Sequence, residues 1–179
     1  MILYYLKYST SLNFQIEMEV KVNNKKYNIV IGIDIGFSGA IAILPRNDAI
    51  YAYDMPLIKT GKKSELNVKA IKDIFCAYNK DSIEVYIERA QAMPQQGCVS
   101  MFRYGKCAGI IEGILIGLGI PYTLVTPQAW KKAMMPGMDK EKGSSILRVN
   151  QLFPYSEIGG RKKDHGKADA VLIAAFGRI

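Results

Sequence analysis

Three acidic residues stand beside strongly apolar segments, where an unpaired charge is costly. Asp34 interrupts IGIDIGFSGAIAIL, Glu88 ends the β-rich segment IEVYIE, and Asp169 immediately precedes the apolar run AVLIAAF. A buried carboxylate without a partner carries a large desolvation cost, and adjacent carboxylates repel each other unless one is protonated or a cation lies between them. Carboxylate oxygens are the ligands that hard divalent cations prefer. The three acids therefore predict a divalent metal site, provided that the fold brings them together.

Two further polar residues lie shortly before Asp169. His165 is four residues before it, one helical turn, so that both side chains could face the same point. Asp164 is five residues before it, which suits a side chain that reaches in from a loop; its alternative role is a helix N-cap, worth about 1 kcal/mol. His165, the only histidine, could equally be a surface residue, a proton donor or a phosphate contact. For Glu88 the alternative is a salt bridge with Arg89 or with a lysine at the strand end.

Five short β-rich segments, separated by turns and helical patterns, must position these acids. The predicted strands are residues 29–35, 40–44, 49–53, 83–88 and the segment PYTLVT at 121–126. The first three are joined by the turn signals FSG and PRND, and such short links indicate an antiparallel meander. Right-handed crossovers through helices make the first, fourth and fifth strands parallel and central. We therefore predict an α/β, ribonuclease H-like fold with a five-stranded mixed sheet in the order 3-2-1-4-5, flanked by helices.

Helical patterns occupy most of the remaining chain. The predicted helices are residues 67–78, residues 99–118, a helix from Pro127 with Thr126 as its cap, a helix from Asp139 that ends before Pro154, and residues 167–176. In the second of them glycine recurs at every fourth position from 105 to 117, which predicts close packing of this helix against the sheet. Its apolar side is expected to include Phe102. The segment MPLIKTGKKSEL is predicted to be a polar connection.

The predicted topology places Asp34 and Glu88 at the carboxyl ends of neighbouring strands. Reactive groups in α/β sheets collect at that edge. We therefore expect the two carboxylates to lie within a few ångströms of each other, about the separation at which a shared cation relieves their repulsion.

Composition limits the classes of protein and of partner. A chain of 179 residues allows one domain with a substantial core, and we assign it to residues 29–179. The net charge of +8 favours a polyanionic partner such as nucleic acid. Three cysteines without metal-binding spacing indicate free thiols in a reducing compartment such as the cytoplasm. Residues 1–28 do not resemble a secretory signal, and an added strand, a mobile arm and an organelle presequence stay open.

Four segments together resemble RuvC-type Holliday junction resolvases, and most of all the branch found in phages, some bacteria and chloroplasts. The segments, in chain order, are IGIDIGFSGAIAIL, VYIERAQAMPQQG, RYGKCAGIIEGILIGLGIPYTLVTPQAWKKAM and RKKDHGKADAVLIAAFGR. The resemblance extends from about Ile31 to Arg178. It implies a ribonuclease H-like homodimer that binds four-way DNA junctions and makes paired symmetric nicks. It also implies two Mg²⁺ ions per active site, for which Mn²⁺ can substitute, and products with 5′ phosphates.

The resemblance also implies the ligands of these ions. Asp34, Glu88 and Asp169 match the acids of the first strand, the fourth strand and the last helix. The remaining acid of well-known members stands three residues before the last one, where this chain has Gly166. Asp164 is the predicted substitute and completes the predicted metal set, with His165 as its competitor.

Basic and polar residues near these acids are predicted to bind DNA. Lys131 or Lys132, in TPQAWKK, could stabilise the negative charge that develops on the phosphate or simply anchor phosphates; we assign Lys132 to catalysis and Lys131 to DNA binding. The loop after Glu88 is expected to enter the junction. The remaining predicted DNA contacts are Met93, Gln95 and Gln96 in that loop and Arg161, Lys162 and Lys163 in the basic run before Asp164. Trp130 is expected in the core, with stacking on DNA as its alternative.

Three other functions stay open at this level. An actin-like module could use GIDIGFSGA as a phosphate loop, although such proteins close two domains around ATP and no second phosphate motif follows. A DNA-binding module without catalysis is a second alternative. A nuclease for RNA–DNA hybrids, with the same fold and metal site, is the third.

Overall fold

The main sheet has the predicted strand order, and two more strands lie outside it. The structure is a computed structural model that describes residues 27–47, 49–61, 63–91, 97–138, 143–161 and 164–179. Its strands are β1 (Ile29–Asp34), β2 (Ala40–Pro45), β3 (Tyr51–Asp54), β4 (Leu57–Thr60), β5 (Lys63–Leu66), β6 (Ile83–Glu88) and β7 (Tyr122–Val125). The main sheet runs β3-β2-β1-β6-β7; β1, β2 and β3 are antiparallel neighbours, and β1, β6 and β7 are parallel. The predicted meander and the predicted central strands are confirmed.

The segment predicted as a polar connection folds instead into a separate hairpin of β4 and β5. Gly61, in the turn between them, has a φ of +63°, a left-handed conformation that favours glycine. Lys59 and Lys63 are exposed on this hairpin, in agreement with a solvated basic segment. The hairpin was missed because its strands are short and mostly polar, so that no apolar alternation marks them.

The helices agree with the predicted pattern apart from shifts at several of their ends. They are α1 (Val68–Cys76), α2 (Cys98–Leu118), α3 (Pro127–Met134), α4 (Ser144–Leu152) and α5 (His165–Phe176). α4 ends before Pro154 as predicted, and the cap proposed for it, Asp139, lies outside the described residues. α5 begins two residues earlier than predicted, which places His165 and Gly166 in its first turn.

Two apolar layers cover the two faces of the sheet. One contains α3, α4 and α5, and the other contains α1 and α2. α5 crosses β1 so closely that a Cβ atom at Gly32 would lie 2.1 Å from the carbonyl oxygen of Ala170. Glycine at position 32 therefore allows the helix that carries Asp169 to lie directly on the strand that ends in Asp34.

The predicted role of the glycines in α2 is wrong. A Cβ atom added at Gly105, Gly109, Gly113 or Gly117 would meet nothing within 4 Å, and Phe102 is 74% exposed. The opposite face of α2 packs on the sheet through Ala108, Ile111 and Leu115, among others. The close approach of a helix to the sheet occurs at Gly32, on the other face.

The predicted N-terminal extension lies almost entirely outside the described residues, which begin at Tyr27. Among the described helices, none is long and apolar enough to cross a membrane.

Candidate active site

Asp34 and Glu88 lie side by side at one edge of the sheet. In the parallel pairing of β1 with β6, Ile33 is opposite Ile87, and the acids are the next residues of their strands. Both side chains are partly buried. The predicted juxtaposition of these two acids is therefore present in the structure.

Asp169 reaches the same place from α5. Its charge raises the pKa of both Asp34 and Glu88, as expected of a neighbouring carboxylate. Its Oδ1 atom is buried and has no hydrogen-bond partner. A buried polar oxygen without a hydrogen-bond partner is costly, and a cation bound to this atom would relieve that cost.

All three carboxylates have raised pKa values, for which burial is the largest cause. The pKa of Asp34 lies well above its ordinary value because of burial and the charges of Asp169 and Glu88. Burial also raises the pKa of Glu88, although the hydrogen bond from Trp130 and the charge of Lys131 oppose it. For Asp169 burial raises the pKa as well. The opposing groups there are Ser145, Lys131 and His165. The cluster therefore holds its negative charges at a cost that a divalent cation would relieve.

The donor set of Asp34, Glu88 and Asp169 fits a hard cation such as Mg²⁺, because it consists of carboxylate oxygens and one of them has no partner. Among the residues that the structure describes, no three His, Cys, Asp or Glu side chains form a ready-made metal-binding group. The raised pKa values of Asp34 and Glu88 show mutual repulsion, which acts against a closer approach of these carboxylates.

Asp164 does not join this cluster. Its side chain is buried and accepts hydrogen bonds from the backbone N–H groups of Gly159 (3.4 Å) and Arg161 (3.0 Å) and from the Arg161 guanidinium (2.8 and 3.0 Å). Burial acts to raise the pKa of Asp164, but the hydrogen bonds and charge of Arg161 prevail and lower it. Asp164 is the N-cap residue of α5 by position, without a side-chain capping bond. The geometry therefore gives Asp164 a structural role and does not support the predicted metal-ligand role.

Gly166 occupies the position at which the resemblance predicts an acid, and its surroundings leave no room for a side chain. A Cβ atom at this position would lie 2.5 Å from the carbonyl oxygen of Ser38 and 3.3 Å from Oδ2 of Asp34. No side chain fits there without movement of the backbone. His165, one residue earlier, is exposed, and its charge lowers the pKa of Asp169. Of the two predicted alternatives for the fourth group, His165 is the one whose charge acts on Asp169.

Lys131 is the lysine next to the acids. Its charge lowers the pKa values of Asp34, Glu88 and Asp169. Lys132 is exposed at the following helical position. Because successive residues of a helix point about 100° apart, the choice between them depends on a helix phase that the sequence alone did not fix. The geometry therefore favours Lys131 for the catalytic role that was predicted for Lys132.

Sequence reasoning missed two residues beside the cluster. Tyr104 of α2 has its pKa raised to about 12 by burial and by the charges of Glu88 and Asp34. It precedes Ala108, Ile111 and Leu115 at helical spacing, a pattern that could have placed it on the inner face. Ser145, at the start of α4, acts on Asp169, and no sequence signal marked it.

The predicted DNA contacts are only partly covered by the structure. Met93, Gln95, Gln96, Lys162 and Lys163 lie outside the described residues. The side chain of Arg161 is 49% exposed, but its guanidinium binds Asp164 and lies 3.6 Å from a carboxylate oxygen of Asp54. The fold thus already uses part of its hydrogen-bonding capacity. Trp130 is fully buried, so its predicted place in the core is confirmed.

Comparison with known proteins gives one relative in sequence. No model of a protein family matches the chain. The chain is 32% identical over 92 residues to the chloroplastic Holliday junction resolvase MOC1 of Chlamydomonas reinhardtii. The match covers 51% of this chain and 10% of the relative, so the chain corresponds to only about a tenth of that protein.

Solved structures of T. thermophilus RuvC share the fold. RuvC in complex with a Holliday junction substrate superposes with a TM-score of 0.59 at 17% identity, over 83% of this chain and 90% of RuvC. A second T. thermophilus RuvC structure gives a TM-score of 0.54, again at 17% identity, over 83% of this chain and 93% of RuvC. The predicted resemblance and the ribonuclease H-like fold class are confirmed: the chain has the fold of RuvC and is similar in sequence to a Holliday junction resolvase.

Proposed function

We propose that this protein is a Mg²⁺-dependent endonuclease that resolves four-way DNA junctions by phosphodiester hydrolysis. The observation that carries the proposal is the cluster of Asp34, Glu88 and Asp169 at the carboxyl edge of a RuvC-like sheet, with one buried carboxylate oxygen unpartnered. The sequence relative is named a Holliday junction resolvase, and the RuvC neighbour was solved with a junction substrate. A net charge of +8 suits a DNA partner.

The three acids would hold two Mg²⁺ ions, with His165 as the proposed fourth group. The chemistry that Mg²⁺ would supply there, when bound, is a lower pKa for the attacking water and neutralisation of charge on the scissile phosphate. Lys131 is exposed, so its ammonium can bind a phosphate oxygen next to the acids and stabilise the negative charge that develops there. Tyr104 lies on the α2 side of the same acids, where its phenol can donate a hydrogen bond to a phosphate.

We also propose that two copies act together. Symmetric cleavage of a four-way junction requires two strands to be cut at matching positions, and a two-fold dimer with one site per copy meets that requirement. The loop residues Met93, Gln95 and Gln96 and the basic residues Lys162 and Lys163 stay proposed DNA contacts. The DNA sequence at which the protein preferentially cuts would then depend on that loop.

The test is cleavage of a synthetic, strand-labelled four-way junction in the presence and absence of Mg²⁺. We expect paired nicks at matching positions that DNA ligase can seal, which requires 5′ phosphates. Asp34→Asn should abolish nicking, whereas Asp73→Asn, an exposed aspartate of α1, is the matched control and should cleave normally. A wild-type protein that binds junctions in Mg²⁺ but never nicks them would instead favour the non-catalytic module.

Competition separates the remaining alternatives. An excess of unlabelled junction should suppress cleavage far more than an equal amount of RNA–DNA hybrid duplex. Preferential cleavage of the hybrid would identify the other ribonuclease H-like activity. Tight binding of ATP without affinity for DNA would support the actin-like alternative.

A further inference from the structure

We propose that Trp130 is a positioning residue for the metal site, because its indole N–H holds the Glu88 carboxylate in the orientation that binds the cation. The inference rests on the proposed function, specifically on divalent metal binding by the acid cluster. It adds a role to a residue that sequence reasoning placed in the core, with stacking on DNA as its alternative.

The contact is direct and crosses two distant parts of the chain. Nε1 of Trp130, in α3, donates a hydrogen bond of 2.8 Å to Oε2 of Glu88, at the end of β6. The residues are 42 positions apart in the sequence, so this bond ties α3 to the strand end that bears the acid. An indole has one N–H donor and no acceptor, so the bond can form in only one sense.

The side chain of Trp130 is enclosed by the protein, and the ammonium of Lys131 lies 5.1 Å from its ring centre. Trp130 is fully buried and belongs to the apolar layer that also contains Val125, Met134 and Val149. α3 is itself fixed at its start, where Oγ1 of Thr126 accepts a hydrogen bond from the N–H of Ala129. A donor held this rigidly fixes the carboxylate that it binds.

A carboxylate has room for both a hydrogen bond and a cation. Its two oxygens offer about four lone-pair positions, and the bond from Trp130 occupies one of them on Oε2. The remaining positions are available to metal. Hydrogen bonds to ligating groups orient them, and their loss typically costs about 10- to 100-fold in metal affinity or activity.

A Trp that served only to fill the apolar layer would not need the Glu88 carboxylate as the acceptor for its N–H group. Loss of the N–H should then affect stability alone, in the same way as loss of any other buried group in the layer. A positioning role instead predicts a specific loss of metal affinity.

Trp130→Phe tests this, since it keeps an aromatic ring in the core and removes the N–H donor; it also removes the volume of the pyrrole ring, for which a second core truncation controls. We expect calorimetric titration of the DNA-free protein with Mg²⁺ to show about 10- to 100-fold weaker binding. The Mg²⁺ concentration for half-maximal nicking should rise by a similar factor. Val149→Ala, which removes buried volume from the same apolar layer but no hydrogen-bond donor, is the matched control: it should lower the melting temperature and leave Mg²⁺ affinity unchanged.

A second measurement needs no variant of Trp130. It is the only tryptophan of the chain, so intrinsic fluorescence reports on this one side chain. Addition of Mg²⁺ to the wild-type protein should change its emission with the same saturation curve as the calorimetric binding. Asp34→Asn should remove both signals.

Three results would overturn the inference: wild-type Mg²⁺ affinity in folded Trp130→Phe, an equal loss of affinity in Val149→Ala, or Mg²⁺ binding without any change in Trp130 emission. Failure of the proposed function looks different. A protein that binds Mg²⁺ with all the expected Trp130 effects but does not nick junctions would retain the positioning role and lose only the junction-resolving activity.

Discussion

Two aspartates near the start of α5, five residues apart, have pKa values shifted in opposite directions. Asp164 is buried, but hydrogen bonds from Arg161 and two backbone N–H groups satisfy it and lower its pKa. Asp169 is also partly buried, but one of its oxygens has no partner, and its pKa is raised. The same residue type is therefore electrostatically satisfied at position 164 and only partly satisfied at position 169. Proximity to the site in sequence does not distinguish the two.

The largest expected effect comes from removal of an uncompensated charge. Asp34→Asn should reduce Mg²⁺-dependent nicking by more than about 100-fold, beyond the effect typical of residues that only support a metal ligand. In metal-free buffer the same change should raise the free energy of unfolding, because it removes a repelling, partly buried charge. Nicking rates and urea denaturation with EDTA measure the two effects. A variant that is less stable without metal would contradict the proposed repulsion.

The two neighbouring lysines of α3 allow a second comparison. Lys131→Ala should slow nicking at saturating Mg²⁺ and junction by roughly 100-fold, similar to loss of one group that stabilises developing negative charge. Lys132→Ala, the matched control, should mainly weaken junction binding and make it less sensitive to salt. Single-turnover rates and binding at several salt concentrations separate these outcomes. The reverse pattern would restore the catalytic role predicted for Lys132.

Removal of the Asp164 charge, which Arg161 compensates, should lower the stability of the fold and not the nicking activity. Asp164→Asn loses charge-assisted hydrogen bonds from Arg161, and we expect it to lower the free energy of unfolding by about 2 kcal/mol. Nicking well below the melting temperature should stay within a few-fold of wild type. Chemical denaturation and initial rates provide the comparison. Unchanged stability with abolished nicking would show that Asp164 is a ligand after all.

The smallest expected effect is on the pH dependence of stability. In the folded protein the pKa values of Asp34, Glu88 and Asp169 are raised, so their contribution is present below the ordinary carboxyl pKa near 4 and is lost as pH rises through the raised values. Asp164, with its lowered pKa, contributes above that pH and loses its contribution only in stronger acid.

Without metal, the free energy of unfolding should therefore decline as pH rises above the ordinary carboxyl pKa near 4 and through the raised pKa values, and Mg²⁺ should remove most of this decline. Melting curves across this range, with EDTA or with Mg²⁺, measure it. A metal-free profile that is flat or rises would be inconsistent with an uncompensated acid cluster.

The sequence sufficed for the parts of the site that depend on periodicity and strand ends. Asp34 and Glu88 could be placed because apolar strands have defined ends, and parallel neighbours bring those ends together. Asp169 could be placed because it directly precedes an apolar helical run, in which an unpaired acid is costly. The fold class followed from the same strands.

Other features of the site and fold depend on contacts between residues that no local sequence pattern predicts. Compensation of Asp164 requires a loop that turns the N–H groups of Gly159 and Arg161 toward it. The glycines of α2 revealed a helix face but not what lies opposite, and the structure leaves that face open. Likewise, the bond between Trp130 and Glu88 joins residues whose separation in the sequence gives no hint of contact.

The central claim is that Asp169, and not Asp164, belongs to the metal site. Calorimetric titration of Mg²⁺ into the wild-type protein, Asp169→Asn and Asp164→Asn tests it most directly. We predict loss of detectable Mg²⁺ binding in Asp169→Asn and nearly wild-type affinity in Asp164→Asn. Retained binding in Asp169→Asn, together with loss of binding in Asp164→Asn, would contradict it.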